Sequence, residues 1–152
     1  MTQPPTKPRH WLLAVDPRVY HWDTLFVKGK EMWRHAGNKP DALRQLKQAH
    51  KGDRALCYHG KGEHSVYALA EISRDPYPDP HHPDEKKLVM DLRAIERLPR
   101  QVTLPEMRAN KALRKVKFLK NPRITISPIT DEEYAEILRM AGIVASPGIP
   151  LP

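Results

Sequence analysis

Sixteen prolines in 152 residues set the first limit on this chain. Proline has no backbone N–H and a locked φ, so it interrupts helix interiors and central sheet ladders. Its spacing here favours strands and short helices. The densest group, Pro76, Pro78, Pro80 and Pro83, predicts an extended loop over residues 73–85. Asp16-Pro17 stops the apolar run 11–15, which reads as a buried strand. Pro40 sits well in a helix first turn, with Leu43, Leu46 and Ala49 at helical spacing and Gly52 as the stop. Thr103-Leu104-Pro105-Glu106 is a capping box with proline in the first turn, and Thr130-Asp131-Glu132-Glu133 is a second. On the helix after the second box, Tyr134, Ile137, Leu138 and Ala141 share a face and Gly142 ends it.

The remaining segments read as follows. Residues 20–28 form a short helix ending near Gly29. Residues 54–59 are a strand, Gly60-Lys61-Gly62 a turn, and 65–72 a second strand. Residues 87–97 and 124–127 are further strands, while 1–9 and 144–152 are expected to be disordered tails around a domain at 10–143. Strands mixed with short helices, without a regular βαβ rhythm, predict an α+β class, either a small mixed sheet or an open barrel.

One domain of this length needs a core, and a hydrophobic fraction of 39% is enough to build one. No apolar run approaches the length of a membrane span, so no membrane partner is expected. The polar, proline-rich N-terminus has no apolar stretch of the kind a secretory signal needs, so a cytoplasmic location is expected. Cys57 is the only cysteine, which excludes disulfides and multi-thiolate metal sites.

Charge narrows the partners. The chain carries 26 Lys+Arg against 18 Asp+Glu, a net charge of +8. Residues 1–60 hold 11 basic and 5 acidic side chains, and residues 107–130 hold Arg108, Lys111, Arg114, Lys115, Lys117, Lys120 and Arg123 with no acid. Such a segment favours polyphosphates, because each phosphate neutralised releases condensed counterions. A solvated helix face is the plainer alternative.

Phosphate-binding loops, nucleophile elbows and zinc-protease motifs are absent from the sequence. Two weaker constellations remain. Cys57 and His59 would share one face of a strand and could pair as thiol and base, although a lone strand cysteine is ordinarily a small buried hydrophobe. His81-His82 with Asp79 and Asp84 offers metal-ligand types in a loop, without the fixed convergence a metal site needs. The aromatics are more telling. Trp11, Trp22 and Trp33, with Tyr20 and Tyr58, fall in the basic N-terminal part, where they either fill a core or stack on bases.

The ordered set Trp11-Leu12-Leu13…Asp16-Pro17, Trp22-Asp23-x-Leu25, Trp33…Asn38, Gly52-Asp53…Tyr58-His59, Tyr77-Pro78-Asp79-Pro80, Arg123-Ile124-Thr125-Ile126 and Glu132-Glu133-Tyr134 resembles the EVE domain family. That resemblance implies a PUA-like mixed sheet or open barrel with flanking short helices, related to the YTH readers of methylated adenine. It further implies a pocket for a flipped, modified base, formed by Asp16, Trp22, Trp33, Asn38, Tyr58 and His59. Phosphate binding would fall to Arg34, Arg108, Lys111, Lys115, Lys117 and Arg123. Where the family has Gly, Val and Arg after its tryptophan, this chain has His35, Ala36 and Gly37, and Gly60 follows Tyr58-His59 in place of serine. The expected function is a non-catalytic DNA- or RNA-binding module without a cofactor, served by a nuclease or other effector partner. The rival expectations are a hydrolase or transferase using Cys57 and His59, and a subunit that binds an acidic protein.

Overall fold

The computed structural model describes residues 8–37, 39–82 and 87–143. Both expected tails therefore lie almost wholly outside the described residues, as does Asn38. Six strands, β1 (His10–Val15), β2 (Lys30–Trp33), β3 (Arg54–His59), β4 (Ser65–Pro78), β5 (Leu88–Thr103) and β6 (Ile126–Ile129), form one sheet in the order β2-β5-β4-β3-β1-β6. Only β1 and β3 pair in parallel, and the other four pairings are antiparallel. The sheet is mixed and open, with β2 and β6 at its edges, as the PUA-like expectation required.

Helices α1 (Asp23–Lys28), α2 (Pro40–Leu46), α3 (Leu104–Ala109), α4 (Lys117–Lys120) and α5 (Asp131–Met140) are all short. Their starts are locally encoded. Thr103 Oγ1 accepts from the Glu106 N–H while Glu106 accepts from the Thr103 N–H, and Thr130 and Glu133 repeat the arrangement at α5. Helix α1 ends at Gly29, whose φ of 82° is open to glycine at no steric penalty.

Burial is nearly continuous along β1 and β3 because both faces of the sheet are covered. Leu12, Leu56, Tyr58, Val66 and Leu69 face one core with residues of α3, α4 and α5, including Phe118, Ile137 and Leu138. Trp11, Leu13, Val15, Ala55, Cys57 and Ala68 face the other, where they meet Trp22, Leu25, Trp33 and Leu46. Two covered faces explain why residues 11–15 read as an unbroken apolar run. Trp11 is further anchored by its indole N–H, which donates to buried Asp53 at 2.8 Å.

The expected loop at 73–85 is corrected. Strand β4 continues through Pro76 to Pro78 and pairs with β5 at Arg74↔Asp91, Tyr77↔Val89 and Pro78↔Leu88. Register shifts between Ile72 and Arg74 and between Arg74 and Tyr77 place Pro76 in an irregular part of the ladder, where its missing N–H removes no regular bond. Tyr77 secures the end of the strand: its hydroxyl donates to Asp91 at 2.6 Å and the Arg74 guanidinium lies 3.7 Å over its ring. Other boundaries also move: α1 begins at Asp23 rather than residue 20, and β5 runs on to Thr103 rather than ending at residue 97. Helix α2 stops at Leu46 rather than near Gly52, and β6 begins at Ile126 rather than residue 124.

Candidate nucleic-acid interface

The parallel strands β1 and β3 end side by side, with Val15 in register with His59. A cleft of about 750 Å³ opens at these ends. Four segments line it: Ala14–Val19 after β1, residues 34–37 after β2, residues 58–64 at the β3–β4 turn, and residues 122–125 before β6. Two backbone bonds and one from a side chain hold the segments together. Gly60 N–H donates to Val15 C=O at 2.9 Å, Ala14 N–H to Thr125 C=O at 2.9 Å, and the Thr125 hydroxyl to Ala36 C=O at 2.8 Å. Four segments distant in sequence are thereby locked around one opening.

Tyr58 lines the cleft from β3. Its ring packs edge-on against Phe118 at 4.6 Å, and its hydroxyl is buried with no hydrogen-bond partner among the described residues. Burial pushes the phenol pKa up to about 12, so it stays a neutral donor. Arg34, Lys61 and Arg123 bring three cations to the same cleft. Asp16 is the one carboxylate there among the described residues, and it is already engaged: it accepts from the Arg18 N–H at 2.9 Å, from Nε at 3.1 Å and from Nη2 at 2.9 Å. Those Arg18 side-chain and backbone bonds hold its pKa below the ordinary carboxylate value. His35 is kept neutral, chiefly by burial and then by neighbouring Arg34.

The β3–β4 turn contributes more than its sequence promised. Lys61 and His64 adopt φ of 48° and 47°, a left-handed region that disfavours non-glycine residues by roughly 1–2 kcal/mol each. Both line the cleft. The pattern Gly60-Lys61-Gly62 had signalled only a turn; a lysine between two glycines was the available hint. Val19, His35 and Thr125 are among the other lining residues that the sequence did not mark as site residues.

The aromatic residues expected in the base pocket are all buried, and of them only Tyr58 lines the cleft. Trp22 is fully buried, with its indole N–H donating to Tyr58 C=O at 3.0 Å. Trp33 is 2% exposed and packs in the core cluster that holds Trp11 and Trp22. All three tryptophans are core, where large aromatic bodies return most by burial. His59 is also interior: its Nε2 accepts the Trp22 backbone N–H at 3.0 Å and its Nδ1 lies 2.8 Å from Glu63. It supports the cleft from behind. Of the expected base-contacting set, Asp16 and Tyr58 reach the cleft.

The expected phosphate contacts separate in the same way. Arg34 and Arg123 line the cleft. Lys115 and Lys117 line a second groove, of about 580 Å³, with Arg9, Asp131 and Glu132. Arg108 donates from Nε to Leu119 C=O at 3.3 Å, tying α3 to α4, and Lys111 is exposed on a 3₁₀ turn over Lys111–Leu113.

Two further clusters bear on chemistry. His21, His59 and Glu63 offer ligand atoms within 4.8 Å of one another. Yet His21 Nδ1 accepts from the Asp23 N–H and His59 Nε2 from the Trp22 N–H, so in the neutral rings the other nitrogens carry protons. The cluster is a set of hydrogen-bonding buttresses more than a set of open lone pairs. Asp79 accepts from the His81 N–H at 2.9 Å and lies 3.7 Å from Arg34 Nε, while Asp84 lies outside the described residues. Cys57 faces the tryptophan core, fully buried, and burial pushes its thiol pKa far up, away from nucleophilic thiolate.

A model of the EVE domain family matches residues 9–140. No curated protein sequence matches the chain. Among solved structures, the chain is similar to Rpa0253 from Rhodopseudomonas palustris, with 30% identity and a TM-score of 0.84 over 93% of this chain and 98% of that one. It is also similar to Atu2648 from Agrobacterium tumefaciens, with 27% identity and a TM-score of 0.83 over 93% and 99%. The human THYN1 protein, solved in complex with 5-methylcytosine-containing DNA, shares the fold at 19% identity, with a TM-score of 0.79 over 88% and 97%. With the open mixed sheet, the cleft at the ends of its parallel pair and a family match over most of its length, this chain belongs to the EVE domain family.

Proposed function

We propose that this protein is a non-catalytic nucleic-acid reader that takes one modified base into the cleft at the ends of β1 and β3. The observation that carries the reading is the pairing, in one cleft, of a buried unpartnered Tyr58 hydroxyl with the cations Arg34, Lys61 and Arg123. A base presents hydrogen-bonding edges to such a donor, and its flanking phosphates suit the cations. The volume of about 750 Å³ falls within the range of small-ligand sites. The likeness in fold to THYN1, solved with 5-methylcytosine-containing DNA, supports the same ligand class.

Binding fits the cleft better than turnover. Its hydroxyl at Thr125 is engaged with Ala36, its carboxylate at Asp16 is engaged with Arg18, and Cys57 lies in the core behind it. A nucleophile beside a base, the usual sign of covalent catalysis, is therefore not among its lining groups.

The test is a titration against matched DNA and RNA oligonucleotides, single- and double-stranded, with and without 5-methylcytosine, 5-hydroxymethylcytosine and N6-methyladenine, at two salt concentrations. A preference for one modified base that survives the higher salt is expected. Binding that ignores modification and disappears with salt would leave only a basic surface.

A further inference from the structure

Two large apolar side chains stand exposed among the described residues, Val27 at 83% and Val19 at 76%. Val27 is on α1 and does not line the cleft, whereas Val19 does. Val19 sits on a turn that is unusually well fixed. Pro17 locks φ, the Asp16 carboxylate accepts three bonds from Arg18, and the Asp16 C=O accepts from the N–H groups of Val19 and Tyr20, each at 2.9 Å. β-Branched residues are not turn formers, so local backbone preference gives no reason for valine here. A rigid turn holding an apolar tip in water, at the edge of a binding cleft, is pre-organised for contact with something apolar.

We propose that Val19 is a wedge that enters double-stranded nucleic acid at the position vacated when a base is drawn into the cleft. The proposal rests on the base-binding reading above and deepens it: the ligand is a duplex with one base extruded. Extrusion leaves a gap between neighbouring base pairs whose apolar faces are uncovered, and filling it with an apolar side chain offsets the lost stacking. The wedge has to stand next to the pocket and hold its shape, and Val19 on its bonded turn meets both conditions. A single strand has no such gap, so the same side chain has nothing to fill there.

The test uses the full chain with 5-methylcytosine in a duplex and in the matching single strand, each paired with its unmodified counterpart. Val19→Ala removes two methyl groups from the wedge and is expected to weaken modified-duplex binding about five- to fifteen-fold. The same substitution should weaken single-strand binding by no more than about twofold, since there only its contact with the cleft edge is lost. Val19→Leu should preserve duplex binding, and Val27→Ala, equally exposed but outside the cleft, should change neither. An equal loss on duplex and single strand would make Val19 an ordinary wall of the cleft and overturn the proposal, as would no loss on either. A wild-type protein blind to modification in both forms would overturn the base-binding reading itself, which is a separate result. Circular dichroism of each variant establishes that the fold is retained.

Discussion

The buried imidazole of His59 accepts the backbone N–H of Trp22 across 3.0 Å, and the Trp22 indole returns a bond to the carbonyl of Tyr58. One loop residue and two adjacent strand residues are thus fastened to each other behind the cleft. Strand alternation turns Tyr58 toward the core that holds Phe118, where it forms part of the cleft wall, and turns His59 to the opposite face. Residues whose types resemble a base cage instead form the wall that holds one tyrosine in place.

Removing this support should be felt as stability before it is felt as binding. His59→Ala leaves the Trp22 N–H buried without an acceptor and opens a cavity, and should lower the unfolding free energy by about 2–4 kcal/mol in urea titration. A loss below about 0.5 kcal/mol would show that the bond is dispensable.

Stability should also fall on mild acidification. His10, His35 and His59 all have pKa values below the ordinary 6.5, in each case chiefly because burial disfavours the imidazolium. A folded-state value below the unfolded one means that the unfolded chain takes up protons first. The contribution is therefore complete above about pH 6.5 and is lost as pH falls through the lowered folded values. The urea midpoint should drop between about pH 7 and 5, before the carboxylates titrate. A flat midpoint across that interval would contradict the burial-driven shifts.

Tyr58→Phe separates binding from folding. The hydroxyl has no hydrogen-bond partner among the described residues, so its removal should leave stability unchanged or raised by up to about 1 kcal/mol. The ring contact with Phe118 is kept. If the hydroxyl meets the base, affinity for the preferred modified oligonucleotide should fall about five- to tenfold. Parallel unfolding and binding titrations decide between a lost ligand contact and a weakened core.

The cations of the cleft have a different signature. Lys61→Ala and Arg123→Ala should weaken modified and unmodified strands alike, and each should reduce the slope of log affinity against log salt by about one. A substitution that changes base preference with the slope intact would reassign that side chain to the base.

Cys57 should resist thiol reagents in the native protein and react once the chain is unfolded. Its side chain is fully buried and its pKa is raised by that burial. Rapid labelling under native conditions would mean that β3 opens readily, and would revive the thiol as a functional group.

Much of the fold was legible because its signals are local. The capping boxes at Thr103 and Thr130 need only three residues of spacing, and both start helices where expected. The run 11–15 and the segment 54–59 are apolar on both faces because each is a central strand covered twice. Gly29 and Gly142 end their helices at positive φ, which glycine alone adopts freely. The edge strand β2 escaped notice because four residues, Lys30–Trp33, are too few to show a period.

What the sequence determined by itself was the class of fold, the capped starts of α3 and α5, its basic character and the residues that mark the EVE family. Tertiary structure alone decided which of those residues reach the cleft. Trp22, Trp33 and Tyr58 are similar as side chains, and local sequence ranks none of them as core or surface. Only the pairing of β1 with β3 and the packing of α1 against the sheet bury all three and leave Tyr58 alone among them in the wall of the cleft. The cleft itself joins segments up to about a hundred residues apart, through contacts such as Thr125 to Ala36, and no window along the chain contains them together. Burial and charge compensation are properties of the assembled surface, and they exist only once the chain has closed on itself.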